Sequence, residues 1–186
     1  QQPNTYYNGA EDSILSEVIN SFETPIDIDI YTAKLDYEKN LGKGKLGIGT
    51  KYSFVETKNT FKVFDEINGV ATIDNSLSNL FDYNEKVYAG YLSYSRPLGK
   101  KWNFISGLRA EQTDATGELT AFLPSLQEPA VHSEYLSWFP SAGLTWSISK
   151  KKSLALNYGR RINRPDYNVL NPFRTQLSEL SFATGN

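Results

Sequence analysis

Apolar side chains recur at every second residue in stretch after stretch of this chain, a period that strands satisfy and helices do not. Leu154, Leu156 and Tyr158 alternate with Ala155, Asn157 and Gly159, so one face is apolar and the other small or polar. Tyr31, Ala33, Leu35 and Tyr37 alternate in the same way with Thr32, Lys34, Asp36 and Glu38, and Leu46, Ile48, Thr50, Tyr52 and Phe54 with Lys45, Gly47, Gly49, Lys51 and Ser53. Trp102, Phe104, Leu108 and Ala110 oppose Asn103, Gly107, Arg109 and Glu111, with Ile105 out of pattern. Trp138, Ala142, Leu144, Trp146 and Ile148 oppose Phe139, Ser141, Gly143, Thr145 and Ser147. Residues 86–95 read as a further strand with two candidate phases, Tyr88, Leu92 and Tyr94 on one face and Val87, Ala89 and Tyr91 on the other. The expected fold class is all-β, an antiparallel up-and-down meander of about six strands.

The connections are unequal. Asn40 to Gly44, Pro97 to Lys101 and Lys150 to Lys152 are tight turns, whereas residues 57–85 and 114–134 read as long loops, the first marked by Asn68-Gly69 and by Asp74, Asn75 and Ser76. Strands joined this way have short turns at one end and long loops at the other. Before them, Ile14, Leu15, Val18, Ile19 and Phe22 fall at helical spacing behind a cap at Asp12 or Ser13, which predicts a short helix. The expected organisation is an acidic loop or barrel extension over residues 1–25, a β segment over residues 26–174, and the start of a further loop or strand over residues 175–186.

Charge follows the same division. Residues 1–30 hold six acids and no Lys or Arg, residues 59–85 five acids and only Lys62, and residues 114–134 four acids and no Lys or Arg. Lysines gather at the tight turns. The net charge of −2 argues against a general nucleic-acid partner, and zero cysteines exclude a disulfide scaffold and a thiolate metal site. No run approaches the roughly 20 apolar residues of a membrane helix. A membrane strand escapes that test, because its lipid and lumen faces alternate and its mean hydropathy is middling. The absence of Met and of a leader suggests part of a larger product.

The stretches LDYEKNLGKGKLGIGTKYSFVET, SRPLGKKWNFISGLRAEQT and SLALNYGRRINRPDYNVLNPFR resemble the barrel segment of TonB-dependent outer-membrane receptors, in the group classed as an outer-membrane β-barrel family. The resemblance covers about residues 24–174. It implies a bacterial outer-membrane location, a lipid bilayer around a partial transmembrane β-barrel, short periplasmic turns and long extracellular loops. It also implies partners: a plug domain of the same parent chain, the TonB complex through parts outside this segment, and a small ligand of unknown identity imported with TonB-supplied energy. No cofactor, metal or catalytic residue is implied. No plug, energy-coupling segment or terminal strand is recognisable, and about six strands fall short of the eight of the smallest barrels.

Residue pattern and resemblance assign the faces alike. Leu46, Tyr52, Trp102, Phe104, Leu108, Leu144 and Trp146 are expected to meet lipid. Lys51, Arg109, Glu111, Asn157, Arg161 and Asn163 are expected to face the lumen or plug, and Arg160 and Arg164 to lie at the outer rim. Gly42, Gly44 and Gly47 match a G-x-G-x-x-G nucleotide pattern, but a strand follows where a helix is required, so they read as a turn with close strand packing. His132 is the only histidine and has no second ligand at metal spacing. Two alternatives remain: a soluble β-sandwich whose apolar face packs on a second sheet, and an outer-membrane barrel acting as adhesin or as an enzyme using His132.

Overall fold

The computed structural model describes the backbone of residues 2–7, 10, 14–67, 70–162, 175–178 and 181–183, and the side chains of residues 10, 21–66 and 70–162. Among the described residues eleven strands are formed: β1 (Gln2–Tyr7), β2 (Ile14–Glu23), β3 (Ile26–Leu41), β4 (Gly44–Ile67), β5 (Val70–Ile73), β6 (Asn79–Leu98), β7 (Trp102–Ala121), β8 (Val131–Ser149), β9 (Lys152–Gly159), β10 (Thr175–Ser178) and β11 (Ser181–Ala183). Strands β1 to β9 share one antiparallel sheet, and β10 and β11 form a separate hairpin. The meander expected from the alternation is present.

Seven columns emerge from the nine strands because two columns are each built from two strands placed end to end, β2 with β3 and β5 with β6. β2 pairs with residues 62–67 of β4 and β3 with residues 44–59 of the same edge. The break falls at Thr24 and Pro25, where proline removes a ladder donor, yet the Pro25 carbonyl still accepts from the Thr60 N–H at 3.0 Å. On the opposite edge of β4, β5 and β6 follow one another in the same way. Asp74 holds that second break: its carboxylate accepts from the Ser76 N–H at 2.7 Å, and the Ser78 hydroxyl donates to its carbonyl at 2.6 Å. Gly42 and Gly99 take φ of 61° and 71° in the short turns, the left-handed region that glycine enters without Cβ strain.

Three expectations are corrected. Residues 14–23 form a strand, not a helix; the β-branched Ile14, Val18 and Ile19 suit a ladder, and pairing with β1 and β4 overrides a weak helical spacing. The cap candidates Asp12 and Ser13 lie outside the described residues. The region 57–85 is mainly strand, with β4 running to Ile67 and β6 starting at Asn79; Ile67 pairs with Val70 across Asn68 and Gly69, which lie outside the described residues. Of residues 114–134, only 122–130 connect, through a 3-10 turn at Pro124–Leu126. There Gln127 replaces a missing strand: its side chain accepts the Ala121 N–H at 3.0 Å and donates to the Leu119 carbonyl.

Among the described residues the packed elements are neighbours within the sheet, so there is one layer and no second sheet against it. The soluble sandwich loses its core. The large buried side chains nevertheless exist, and register places them all on one face: Thr57 and Val63 on β4, Phe81, Tyr83, Val87 and Ala89 on β6, Glu111, Thr113, Ala115 and Leu119 on β7. Side chains in a single layer are buried only where the sheet wraps around them, so this is the concave face at the long-loop end. The other face is uncovered, with Leu35 71 % and Leu156 75 % exposed.

Candidate functional site

Following the ladders across the sheet sorts the residues into two faces. Leu46 lies beside Tyr94, then Ser106, Ala142 and Tyr158; Tyr52 lies beside Ala33, Tyr88, Gln112 and Leu136. Trp102, Trp146 and Leu154 share a row, as do Phe104, Leu144 and Leu156. Leu46, Tyr52, Trp102, Phe104, Leu108, Leu144 and Trp146 therefore stand on one uncovered apolar face. The phase of residues 86–95 is settled: Tyr88, Leu92 and Tyr94 join this face, and Val87, Ala89 and Tyr91 the opposite one.

Aromatic rings mark both ends of that face. Near the short turns Trp102 and Trp146 stack with centroids 5.4 Å apart and planes inclined by 7°. Toward the long connections Tyr52 and Tyr88 approach to 5.0 Å, and Tyr31 stacks on Phe54 at 6.2 Å. Beyond these rings the same face turns polar, with Glu56, Lys58, Asp82, Asn84, Asp114 and Glu134 in successive rows. Lys58 Nζ sits 3.1 Å from Glu56 Oε1; that bond raises its pKa, and Asp82 and Asp29 add to the rise.

The concave face carries the opposite arrangement. At the level of the apolar band it is polar, and its centre is Tyr91. Register places Asp36, Gly49, Tyr91, Arg109 and Phe139 in one row. Because Gly49 has no side chain, the Tyr91 ring lies flat across β4, where a Cβ on Gly49 would overlap it, and the phenol donates to Asp36 on β3. Lys34 binds Asp36 at 2.7 Å and stands 5.8 Å from the ring centroid, while Arg109 stands 5.5 Å from it and binds Glu111. One phenol thus ties three strands to the cations beside them. Gly49→Val is expected to cost about 1–3 kcal/mol in a denaturant titration of the protein, because the ring must leave its seat; an unchanged midpoint would contradict this seating.

Lys51, Arg109, Glu111, Asn157 and Arg161 belong to or border this face, with Lys51 between Lys34 and Ala89 in the next row. Asn163 and Arg164 lie outside the described residues. Arg160, on the opposite parity just past β9, donates its backbone N–H to the Pro140 carbonyl at 3.1 Å. A hollow of about 670 Å³ opens beside Arg109, lined from this face by Ile105, Phe139, Ser141, Asn157, Gly159 and Arg161 and from the other by Ala142, Tyr158 and Arg160. Lys34, Asp36 and Tyr91 escaped the sequence reading as a site. Lys34 and Asp36 were visible as polar alternates, but Tyr91 counts as apolar, and only its pairing with Gly49 gives it a polar role.

Among the described residues His132 contacts Thr116 and Asp114. Its Nδ1 lies 3.2 Å from Thr116 Oγ1 and 3.7 Å from Asp114 Oδ1. A relay needs the two ring nitrogens to address different partners, and here one nitrogen addresses both. No group of three metal-ligating side chains exists among the described residues.

The chain is similar to known proteins at two levels. The model of the Outer membrane protein beta-barrel family matches residues 1–186. Among solved structures, the ferric citrate transporter FecA in its unliganded form superposes with a TM-score of 0.56 at 13 % identity, over 76 % of this chain and 22 % of that one. The chain therefore spans about a fifth of that transporter's length, and the likeness is one of fold. No curated protein matches the sequence.

Proposed function

Because the chain belongs to the outer membrane protein beta-barrel family and resides in the bacterial outer membrane, we propose that it is one wall of a TonB-dependent receptor that captures a small ligand outside the cell and imports it. In this reading Leu46, Tyr52, Trp102, Phe104, Leu108, Leu144 and Trp146 meet lipid. Lys51, Arg109, Glu111, Asn157 and Arg161 face the lumen and the plug of the same parent chain. Arg160 reaches toward the rim, where its guanidinium snorkels to a lipid phosphate. The role is non-enzymatic, and energy comes from the TonB complex through other parts of the parent.

One observation carries the reading: the apolar face is a band that crosses the strands obliquely between two sets of aromatic rings. Its upper edge moves from the row of Tyr31 on β3 to that of Tyr158 on β9, which is the row of Lys39, eight residues lower along β3. Its lower edge, from Leu41 to Leu154, moves by two. The midline thus drops by about five residues over five strand steps, which at ~3.3 Å per residue and ~4.8 Å per strand is a slope of about 35°. Strands of membrane barrels tilt by about 35–45°. Trp138 and Trp146 are eight residues apart on β8, about 27 Å along the strand and about 22 Å after projection, close to the ~25 Å height of a lipid-facing band.

A planar bilayer tests the plugged barrel. The parent protein is expected to show little conductance until urea loosens the plug, and then a channel that closes again on dilution. A permanently open pore would contradict a plug, and no channel at any urea concentration would contradict a lumen.

A further inference from the structure

We propose that the hollow beside Arg109 is a binding site for a compact oxyanion, a carboxylate or phosphate carried by a small solute in the lumen. The inference rests on the reading of the concave face as the lumen. Its floor is open at Gly159, which stands beside Ser141 in one row, while the side chains of Ile105 and Asn157 lean over Gly143 in the next. A Cβ added to Gly159 would meet nothing within 4 Å. The resulting space of about 670 Å³ is the size of a small-molecule site.

The walls decide the sign of the occupant. Arg109 and Arg161 line the hollow from the concave face together with Ser141 and Asn157, and Arg160 borders it from the opposite parity. Arg109 gives its Nε to Glu111, which leaves the two terminal nitrogens of its fork. Arg160 and Arg161 have no ion-pair partner among the described residues. Two cations on the concave face against one committed carboxylate, with neutral donors between them, suit planar oxyanions, which guanidinium forks bind through paired hydrogen bonds. Among the described residues no carboxylate lines the hollow.

Calorimetry on the full parent receptor in detergent, with inorganic phosphate and with malonate as probes, tests the site. Saturable binding of either probe is expected, weakened about tenfold by Arg161→Gln, equivalent to about 1.4 kcal/mol. Gly159→Leu fills a space where no atom stands in the way, so it is expected to abolish binding without unfolding the wall. Lys58→Gln, on the opposite face, is expected to leave binding unchanged. Equal binding in the wild type, Arg161→Gln and Gly159→Leu would overturn the site, as would absence of binding in the wild type. Binding that appears only after plug deletion would also overturn it, assigning the hollow to a carboxylate of the plug. Failure of the lumen reading itself is seen separately, in the side-chain accessibilities along β7.

Discussion

Leu108→Arg in the parent barrel lowers the free energy of folding into lipid by about 2–4 kcal/mol, the cost of an arginine close to the bilayer midplane. Leu108 stands on the apolar face between Phe104 and Ala110, 44 % exposed, beside Leu92 and Pro140 in its row. No carboxylate shares that row. Along β7 the guanidinium must therefore reach past Ala110 in one direction, or past Ser106, Phe104 and Trp102 in the other, before it leaves the band. A refolding titration in lipid vesicles measures the difference, and a loss below about 1 kcal/mol would place Leu108 in an aqueous environment and reverse the faces.

Phe81→Ala removes about 3–5 kcal/mol, for a different reason. Its ring is 1 % exposed and forms the centre of a cluster with Tyr83, Ala115, Leu119 and Ala121. The ring leans toward Gly117, whose missing side chain gives it room. Truncation leaves a cavity that the ladders on both sides keep from collapsing. The damage is expected to stay in the outer halves of β4, β6 and β7, so amide exchange should quicken at residues 57–61, 79–85 and 115–121 and stay slow at residues 46–52 and 104–110. Uniform acceleration would mean that the outer and inner halves unfold together.

These two substitutions lie on opposite faces because the sheet changes polarity along its length. Within the band the uncovered face is apolar and the concave face polar. Beyond it Glu56, Lys58, Asp82 and Asp114 occupy the uncovered face, while Val63, Phe81, Tyr83, Ala115 and Leu119 are buried on the other. Such an inversion fits strands that leave lipid and continue into water, where the interior rather than the exterior must be apolar.

That inversion also explains which parts of the fold were legible in the sequence. The alternations around Leu46, Phe104, Leu144 and Leu156 were readable because each keeps one phase over several rows. In residues 112–121 alternation continues, but the apolar members move from even positions such as Leu108 and Ala110 to odd ones such as Ala115 and Leu119. A search for one constant phase reads the change as an end of strand, and the accompanying acids as a loop. Residues 86–95 straddle the inversion: Val87 and Ala89 already belong to the buried face, while Tyr88 and Leu92 still belong to the apolar band. The site was half readable. Arg109, Glu111, Asn157 and Arg161 stand out as charged or polar alternates, but the seat of Tyr91 on Gly49 depends on a register between β4 and β6 that local sequence does not encode.

If one face of this sheet meets lipid and the other water, spin-label accessibility along β7 must alternate between the two. The segment contains no cysteine, so single cysteines can be introduced at each position from Phe104 to Glu111 in the parent barrel and labelled in vesicles. Labels at 104, 106, 108 and 110 are expected to collide with oxygen dissolved in lipid, and those at 105, 107, 109 and 111 with a water-soluble nickel reagent, alternating residue by residue. An inverted phase would exchange the lipid and water faces, and accessibility without a two-residue period would exclude a membrane-spanning strand.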